Sequence, residues 1–321
     1  MLAPLQGWLS MRRRMQHLLE YVVVRLLIAV VQTLPEDRAN RCCHGAAWLL
    51  SDVFNVRGKT VEANLERVFP DQGDLRRVEM RRAMWHHLLL MICEIAWAPR
   101  RLHRSNWKQH IHFPAGDACL RPMLSSRPAV VVSGHFGNFE MGGYVNGLIG
   151  ISTLTIARKL DNPHLHRYIT RFRAAKGQRL IDKNGCAPEI DRHLAQGGIL
   201  TLLADQHGGE RGCWVDFLGH PASCHKGLAL FSLTSKAPMM VGYTQRYDGP
   251  MRFIQGATGF LDPLSDDPAA GGVRPMTAWY NDRLAEVVLK CPEQYWWLHR
   301  RWRPKPKRVR PAKPVAPAKA A

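Results

Sequence analysis

The chain has 321 residues, 46% hydrophobic and 22% charged, which suits a sizeable core and an enzyme-sized cleft and excludes wholesale disorder. Its 45 Lys and Arg against 26 Asp and Glu leave a formal net charge of +19, so an anionic partner is expected: nucleic acid, phospholipid headgroups or an acidic protein. Its 8 cysteines are scattered and form no C-x-x-C, so reduced thiols facing the cytosol are expected.

Near the N-terminus, Arg12, Arg13 and Arg14 precede an apolar run from Leu18 to Leu34 that Glu20 and Arg25 interrupt. As a helix this run reaches roughly 26 Å, marginal against a hydrocarbon core of about 30 Å. No small-residue cleavage site follows it, as a signal peptide would need; Pro35-Glu36-Asp37 does. A buried core helix is the alternative. The arginines ahead and the charges within favour a membrane-anchoring segment over residues 1–38, in or dipping into the interface.

From about 39 to 110 the spacing is helical, with Val61, Leu65 and Val68 on one stripe and Met84, Leu88, Met91 and Ile95 on another. Short apolar or β-branched runs then begin at Ala129–Ser133, and continue at Ile151–Ala157, Ile199–Ala204 and Pro238–Thr244. Helix-sized segments separate most of them, which predicts an α/β fold with a largely parallel central sheet flanked by helices, over residues 39–303. Residues 304–321 contain Pro, Ala, Lys, Arg and Val with no acid or aromatic, and predict a disordered basic tail. His207, Cys213, His220, Cys224 and His225 are the densest group of possible metal ligands, but their spacing matches no zinc pattern, and no metal site is expected.

The chemistry concentrates in Ser133-Gly134-His135-Phe136-Gly137-Asn138-Phe139-Glu140, directly after the Ala129–Ser133 run. Open α/β sheets bind ligands at this end of their strands, and the two glycines allow a tight turn. His135 and Glu140 would point some 140° apart on one continuous helix. With His135 in the turn and Glu140 on the following helix, they can meet. A carboxylate on one imidazole nitrogen fixes the tautomer and leaves the other nitrogen as a general base. The alternative is a hydrogen-bonded loop histidine without a chemical role. No G-x-S-x-G, P-loop or G-x-G-x-x-G competes, so a base without a protein nucleophile points to direct attack by a substrate hydroxyl or amine on an activated carbonyl.

This block resembles the H-x4-[DE] signature of the glycerolipid acyltransferase superfamily, in the form used by the bacterial lipid A biosynthesis (late) acyltransferases. Further stretches are similar in the same order: Ala157-Arg158-Lys159-Leu160-Asp161-Asn162-Pro163, Gly197-Gly198 through Asp205-Gln206, and Phe217-Leu218-Gly219-His220-Pro221-Ala222. Pro292 through Trp302 resembles the family's P-E-Q-Y-x-W-x-H-R-R-[FW] ending. The chain departs from the pattern at Leu218 and at Ser223-Cys224. The similarity runs from about residue 17 to 305.

The resemblance implies transfer of a fatty acyl chain from acyl carrier protein, or coenzyme A, to a hydroxyl of a lipid A precursor or related glycolipid. It implies no metal or prosthetic group, and a place at the cytoplasmic face of the inner membrane. His135 is then the general base and Glu140 its orienting partner, with Gly137, Asn138, Arg158, Asp205 and Gln206 in substrate binding. Backbone N–H groups around Gly137 and Asn138 are candidates for the oxyanion, and Arg158 for a phosphate. Arg158 as a solvated arginine and Asp205 as a turn cap are the alternatives. Tyr295–Trp302 reads as core packing or as an interfacial edge with Arg300, Arg301 and Arg303 facing headgroups. The charge suits anionic lipid and the acidic carrier protein. Other readings keep the chemistry on an ornithine or glycine lipid or a phosphatidylinositol mannoside. A non-enzymatic nucleic-acid- or membrane-binding protein is the remaining alternative, although no nucleic-acid module accompanies the basic residues.

Overall fold

The computed structural model describes residues 3–114 and 120–304, so the basic tail lies outside the described residues apart from Pro304. Helix α1 (Ala3–Thr33) contains the apolar run and ends just before Pro35, whose ring suits the start of α2 (Glu36–Trp48). Glu36 and Asp37 sit in the first turn of α2, where the helix dipole favours negative charge. A π-helical turn (Leu49–Val53) leads to α3 (Gly58–Val68) and α4 (Asp74–Arg101). Val61, Leu65 and Met84 on these helices are fully buried, as their spacing predicts.

The remaining elements build the α/β body. They are β1 (Ile111–His112), α5 (Arg121–Leu124), β2 (Ala129–Ser133), α6 (Phe139–Leu148), β3 (Thr153–Ala157), α7 (Pro163–Ala174), β4 (Gln178–Asp182), α8 (Ala187–Ala195) and β5 (Ile199–Leu203). A hairpin of β6 (Cys213–Phe217) and β7 (His220–Cys224) follows, then α9 (Gly227–Ser235), β8 (Met239–Arg246), β9 (Phe253–Leu261) and α10 (Val273–Lys290). The main sheet has the order β1-β9-β8-β2-β5-β3-β4, and every neighbouring pair is parallel except β8 with β9.

The four strands read from the sequence all exist, and β2 has the expected bounds. The others were missed for physical reasons. β4 is an edge strand with only two apolar residues, Leu180 and Ile181, between Gln178-Arg179 and Asp182, and β9 carries Gly256 and Gly259 between its apolar residues. Strand β2 is central, flanked by β5 and β8, which is why four of its residues are buried on both faces and why it reads as an unbroken apolar run.

Alternation along the strands divides the two faces of the sheet. Val130, Val132, Leu200, Met239 and Val241 pack into one dense core with Ile190 and Leu194 of α8, Leu228 of α9 and Tyr280 and Leu284 of α10. On the opposite face Val131 and Met240 pack with Met123, Ile151 and Ile199, and the same two residues also line a cavity under α6. After β2 the chain builds β3, β4 and β5 on one side of it, then crosses to place β8 and β9 on the other. That reversal opens a crevice at the carboxyl ends of β2 and β5.

Candidate functional site

The crevice is where His135 and Asp205 meet. Strands β2 and β5 are parallel, with Ser133 opposite Leu203, and the Ala204 N–H donates to the Ser133 carbonyl at 2.8 Å. Two residues further along each strand end come His135 and Asp205. His135 Nδ1 lies 2.8 Å from Asp205 Oδ1, and the His135 backbone N–H donates to Asp205 Oδ2 at 2.8 Å. One carboxylate thus holds both the ring and the backbone of the same histidine. Gly134 lies against this pair, and a Cβ there would sit 3.4 Å from the Asp205 carboxyl.

An ionised carboxylate only accepts hydrogen bonds, so Nδ1 carries the proton and Nε2 presents a lone pair. Gln206 Nε2 lies 3.4 Å from that nitrogen. The ring is held edge-on between Phe139 and Trp296, with centroids 5.0 and 5.6 Å away. Burial lowers the His135 pKa, but the charge and hydrogen bond of Asp205, helped by the charge of Glu140, outweigh it and raise it above the ordinary histidine value. Burial acts to raise Asp205, yet the His135 charge and hydrogen bonds, with Arg301 further off, bring it down to about 2.

Glu140 is not the carboxylate on the imidazole. Asn138 caps α6, accepting the Met141 N–H at 3.1 Å, so Glu140 falls in the first helical turn and faces α7. There it accepts two hydrogen bonds from Arg173, one of them from Nε at 3.0 Å. The expected oxyanion donors are also engaged elsewhere. The Gly137 N–H donates to the Gln294 carbonyl at 2.9 Å and the Asn138 N–H to the Thr244 carbonyl at 2.8 Å. Asn138 is fully buried, and Gly137 adopts φ +59° against the Thr244 carbonyl, where a Cβ would lie 2.0 Å away. Both residues shape the turn from behind. Arg158 stands at the mouth with its side chain 74% exposed, 3.6 Å from Asp161.

Behind the turn lies a charged network that sequence reasoning missed. Glu94 of α4 is fully buried and accepts from Arg246 Nε at 2.6 Å, Arg246 Nη2 at 2.7 Å, Asn138 Nδ2 at 2.8 Å and the Met251 N–H at 3.2 Å. Arg246 also donates to His87 Nδ1 at 2.7 Å, which leaves the His87 Nε2–H to donate to the Gly137 carbonyl at 3.1 Å. Burial and the Arg246 charge hold His87 well below its ordinary pKa, as a neutral ring in that role requires. The signal was a lone acid in the apolar stretch Leu88–Ala98 of a helix.

The C-terminal block closes the site from the other side. The Trp296 backbone N–H donates to the His135 carbonyl at 3.0 Å, and His299 Nε2 accepts the His207 backbone N–H at 2.9 Å. Tyr295 and Trp297 are core residues, while Arg300 and Arg303 are exposed. Arg301 departs from the expected headgroup edge. It is buried, donating to the Ser223 carbonyl at 2.6 Å and to Cys224 Sγ at 2.8 Å. Of the metal-ligand candidates, Cys213 and Cys224 face each other across the β6–β7 hairpin, but His220 instead pairs with the Arg67 carbonyl at 2.8 Å.

His135, Glu140, Arg158 and Gln206 line one cavity of about 610 Å³ beneath α6. Its walls include Val131, Leu203 and Met240, and its mouth carries Arg158, Lys159 and His166. A basic rim over a largely apolar interior suits a molecule with an anionic head and a hydrocarbon chain.

Over residues 10–304 the chain matches the family described as bacterial lipid A biosynthesis acyltransferase. It is similar to a lipid A biosynthesis lauroyltransferase of Escherichia coli K12, 25% identical over 301 residues that cover 91% of this chain and 93% of the relative. A lipid A biosynthesis palmitoleoyltransferase of the same organism is 25% identical over 78% of this chain and 80% of its own. A lipid A biosynthesis acyltransferase of Haemophilus influenzae is 23% identical over 87% and 88%.

Proposed function

Because the chain belongs to the bacterial lipid A biosynthesis acyltransferase family and is an acyltransferase, we propose that it moves a fatty acyl group from a carrier-protein or coenzyme A thioester to a hydroxyl of a lipid A precursor. One observation carries the mechanism: a histidine held through Nδ1 by a buried aspartate, with the ring lining a largely apolar cavity under a basic rim.

The acceptor hydroxyl approaches His135 Nε2 and gives up its proton as its oxygen bonds to the thioester carbonyl carbon. Asp205 keeps the ring in the tautomer that can accept that proton and stabilises the imidazolium. The tetrahedral intermediate then collapses, the carbon–sulfur bond breaks, and the leaving thiolate takes the proton from Nε2. No protein nucleophile or prosthetic group is needed for this sequence of steps. With the Gly137 and Asn138 N–H groups engaged, Gln206 is the oxyanion donor we assign, since its side-chain nitrogen lies 3.4 Å from Nε2. Arg158 and Lys159 receive phosphate at the mouth, and the acyl chain occupies the cavity. A cytosolic thioester donor and the apolar segment Met11–Thr33 support a place on the cytoplasmic face of the inner membrane.

Lipid mass spectrometry tests this in a host whose lipid A lacks a secondary acyl chain. Expression of the wild type should add one acyl mass to lipid A, and His135→Ala should not. An acyl mass appearing on another lipid would move the acceptor and keep the chemistry. A His135→Ala enzyme at near-normal rate would remove the base.

A further inference from the structure

Helix α1 is long and apolar enough, from Met11 to Thr33, to cross a membrane. Its contacts argue for a different use. His17, Tyr21, Val24, Ile28 and Val31 recur at alternating spacings of four and three, which is one stripe of a helix, and each is partly covered by the rest of the protein. At one end Asn162 donates to the His17 carbonyl at 2.8 Å and to Glu20 at 2.9 Å. In the middle Tyr21 packs on His164 of α7, and the Arg25 guanidinium lies 4.8 Å from the Tyr168 ring. At the other end Trp97 Nε1 of α4 donates to the Val31 carbonyl at 2.7 Å, and Gln32 donates to the Ala96 carbonyl at 2.8 Å.

These attachments span about 22 Å of helix axis. A helix fastened over that length to the catalytic body cannot cross hydrocarbon unless α4 and α7 enter with it. Helix α7 carries Arg167 and Arg171, both exposed, next to the attachment, which forbids that. The opposite stripe of α1 has no protein partner among the described residues. Leu18, Leu19, Val22, Val23, Leu26 and Val30 are between 43% and 65% exposed, a continuous apolar face. Arg13 and Arg14 lie at its start, and the chain's net charge of +19 complements an anionic surface.

We infer that α1 lies lengthwise in the surface of an anionic bilayer, its Leu19–Leu26 face in the lipid and its His17–Val31 face on the enzyme, so that it docks the body without spanning the membrane. The docking would also set the mouth of the cavity at the lipid surface. Asn162, which holds α1, closes the same turn that carries Arg158, Lys159 and Leu160, and a crevice between this turn and α1 is lined by Arg13, Gln16 and Leu165. A glycolipid could keep its chains in the bilayer while its headgroup reaches the rim. The inference concerns the mode of membrane contact and stands whichever lipid is acylated.

Two measurements on the full chain decide it. A biotin-acceptor peptide ahead of Met1, with biotin ligase confined to the cytoplasm, should be biotinylated as fully as the same peptide placed after Ala321. An N-terminal peptide left unlabelled, while the C-terminal one is labelled, would mean that α1 crosses the membrane. Purified protein should float with phosphatidylethanolamine–phosphatidylglycerol vesicles, and Leu19→Glu/Leu26→Glu should reduce the floated fraction about tenfold with an unchanged melting temperature. Undiminished flotation by that variant, or loss of a dimer in place of loss of lipid binding, would overturn the inference. Should the variant melt early, the labelling result decides alone, since it uses the unaltered helix.

Discussion

Asp205 Oδ1 lies 2.8 Å from His135 Nδ1, although the two residues are 70 apart in the chain. The register of two central parallel strands puts them together, and the pair is nearly enclosed, with the Asp205 side chain 3% exposed. The carboxylate on the imidazole therefore comes from the D-Q stretch after β5, and the acid five residues along from His135 serves a different contact. Asp205→Asn should lower the acyl-transfer rate by roughly 10²- to 10⁴-fold, the usual range for a disabled general base. Glu140→Gln should cost much less. It loosens the Arg173 pair between α6 and α7, whose side chains are 23% and 18% exposed, at about 1 kcal/mol of stability. Steady-state rates of the two purified variants, side by side, check the assignment; equal losses would return Glu140 to the imidazole.

The pH profile follows from the same pair. His135 must be neutral to accept a proton, so kcat/KM should rise with pH and level off above the folded-state pKa. Burial alone would put that pKa below about 6.5, and Asp205 lifts it above that value. The inflection should accordingly lie on the alkaline side of an ordinary histidine. In Asp205→Asn the burial remains and the opposing charge is gone, so the residual activity should have its inflection shifted to lower pH. Rates measured with one thioester from pH 5 to 9 test both the position and the direction of the shift. An inflection that stays put in the variant would mean that Asp205 is not what raises it.

How far the sequence carried this reading depends on the range of the interaction. Strand β2, its carboxyl-end turn and His135 are local features: a β-branched run, then glycines. The Asn138 cap and the Glu140–Arg173 pair depend on where α6 starts, which fixes the direction of Glu140 and is not written in an H-x4-E spacing. Asp205 needed the β2–β5 register, and strand order in a parallel sheet cannot be read from one chain. Asp205 and Gln206 were assigned to the site through family resemblance, but their contact with His135 comes only from the pairing of strands. Glu94, His87 and Arg246 were legible only as oddities, because charged residues inside apolar stretches are paired by tertiary contacts.

That network gives a stability prediction. Glu94→Gln keeps most of the hydrogen-bonding shape but leaves Arg246, 9% exposed, without its counter-charge. Breaking one side of a buried pair costs about 3–5 kcal/mol. Denaturant midpoints should show that loss for the single variant, and Glu94→Gln/Arg246→Met should recover part of it because no uncompensated charge remains. A double variant no more stable than the single one would place the cost in lost packing and hydrogen bonds instead of in the orphaned charge.

The cavity should set which acyl chains are accepted. Gly242 lines it from β8, and a Cβ there would meet the Met240 and Val131 side-chain carbons at 3.6 Å and the Gly256 carbonyl oxygen at 3.7 Å, all ordinary contacts. The first carbon of a leucine therefore fits, and the rest of the side chain extends into the space proposed for the chain. Each buried methylene is worth about 0.8 kcal/mol, so excluding two or three of them costs long-chain donors on the order of 2 kcal/mol, close to a thirtyfold loss in kcat/KM. Short-chain donors that never reach Gly242 should lose little. Gly242→Leu tested against a series of thioesters should thus shift the preferred chain shorter by about two or three carbons. If the loss is instead uniform across the series, the substitution has distorted β8 beside the catalytic turn, and the acyl chain lies elsewhere.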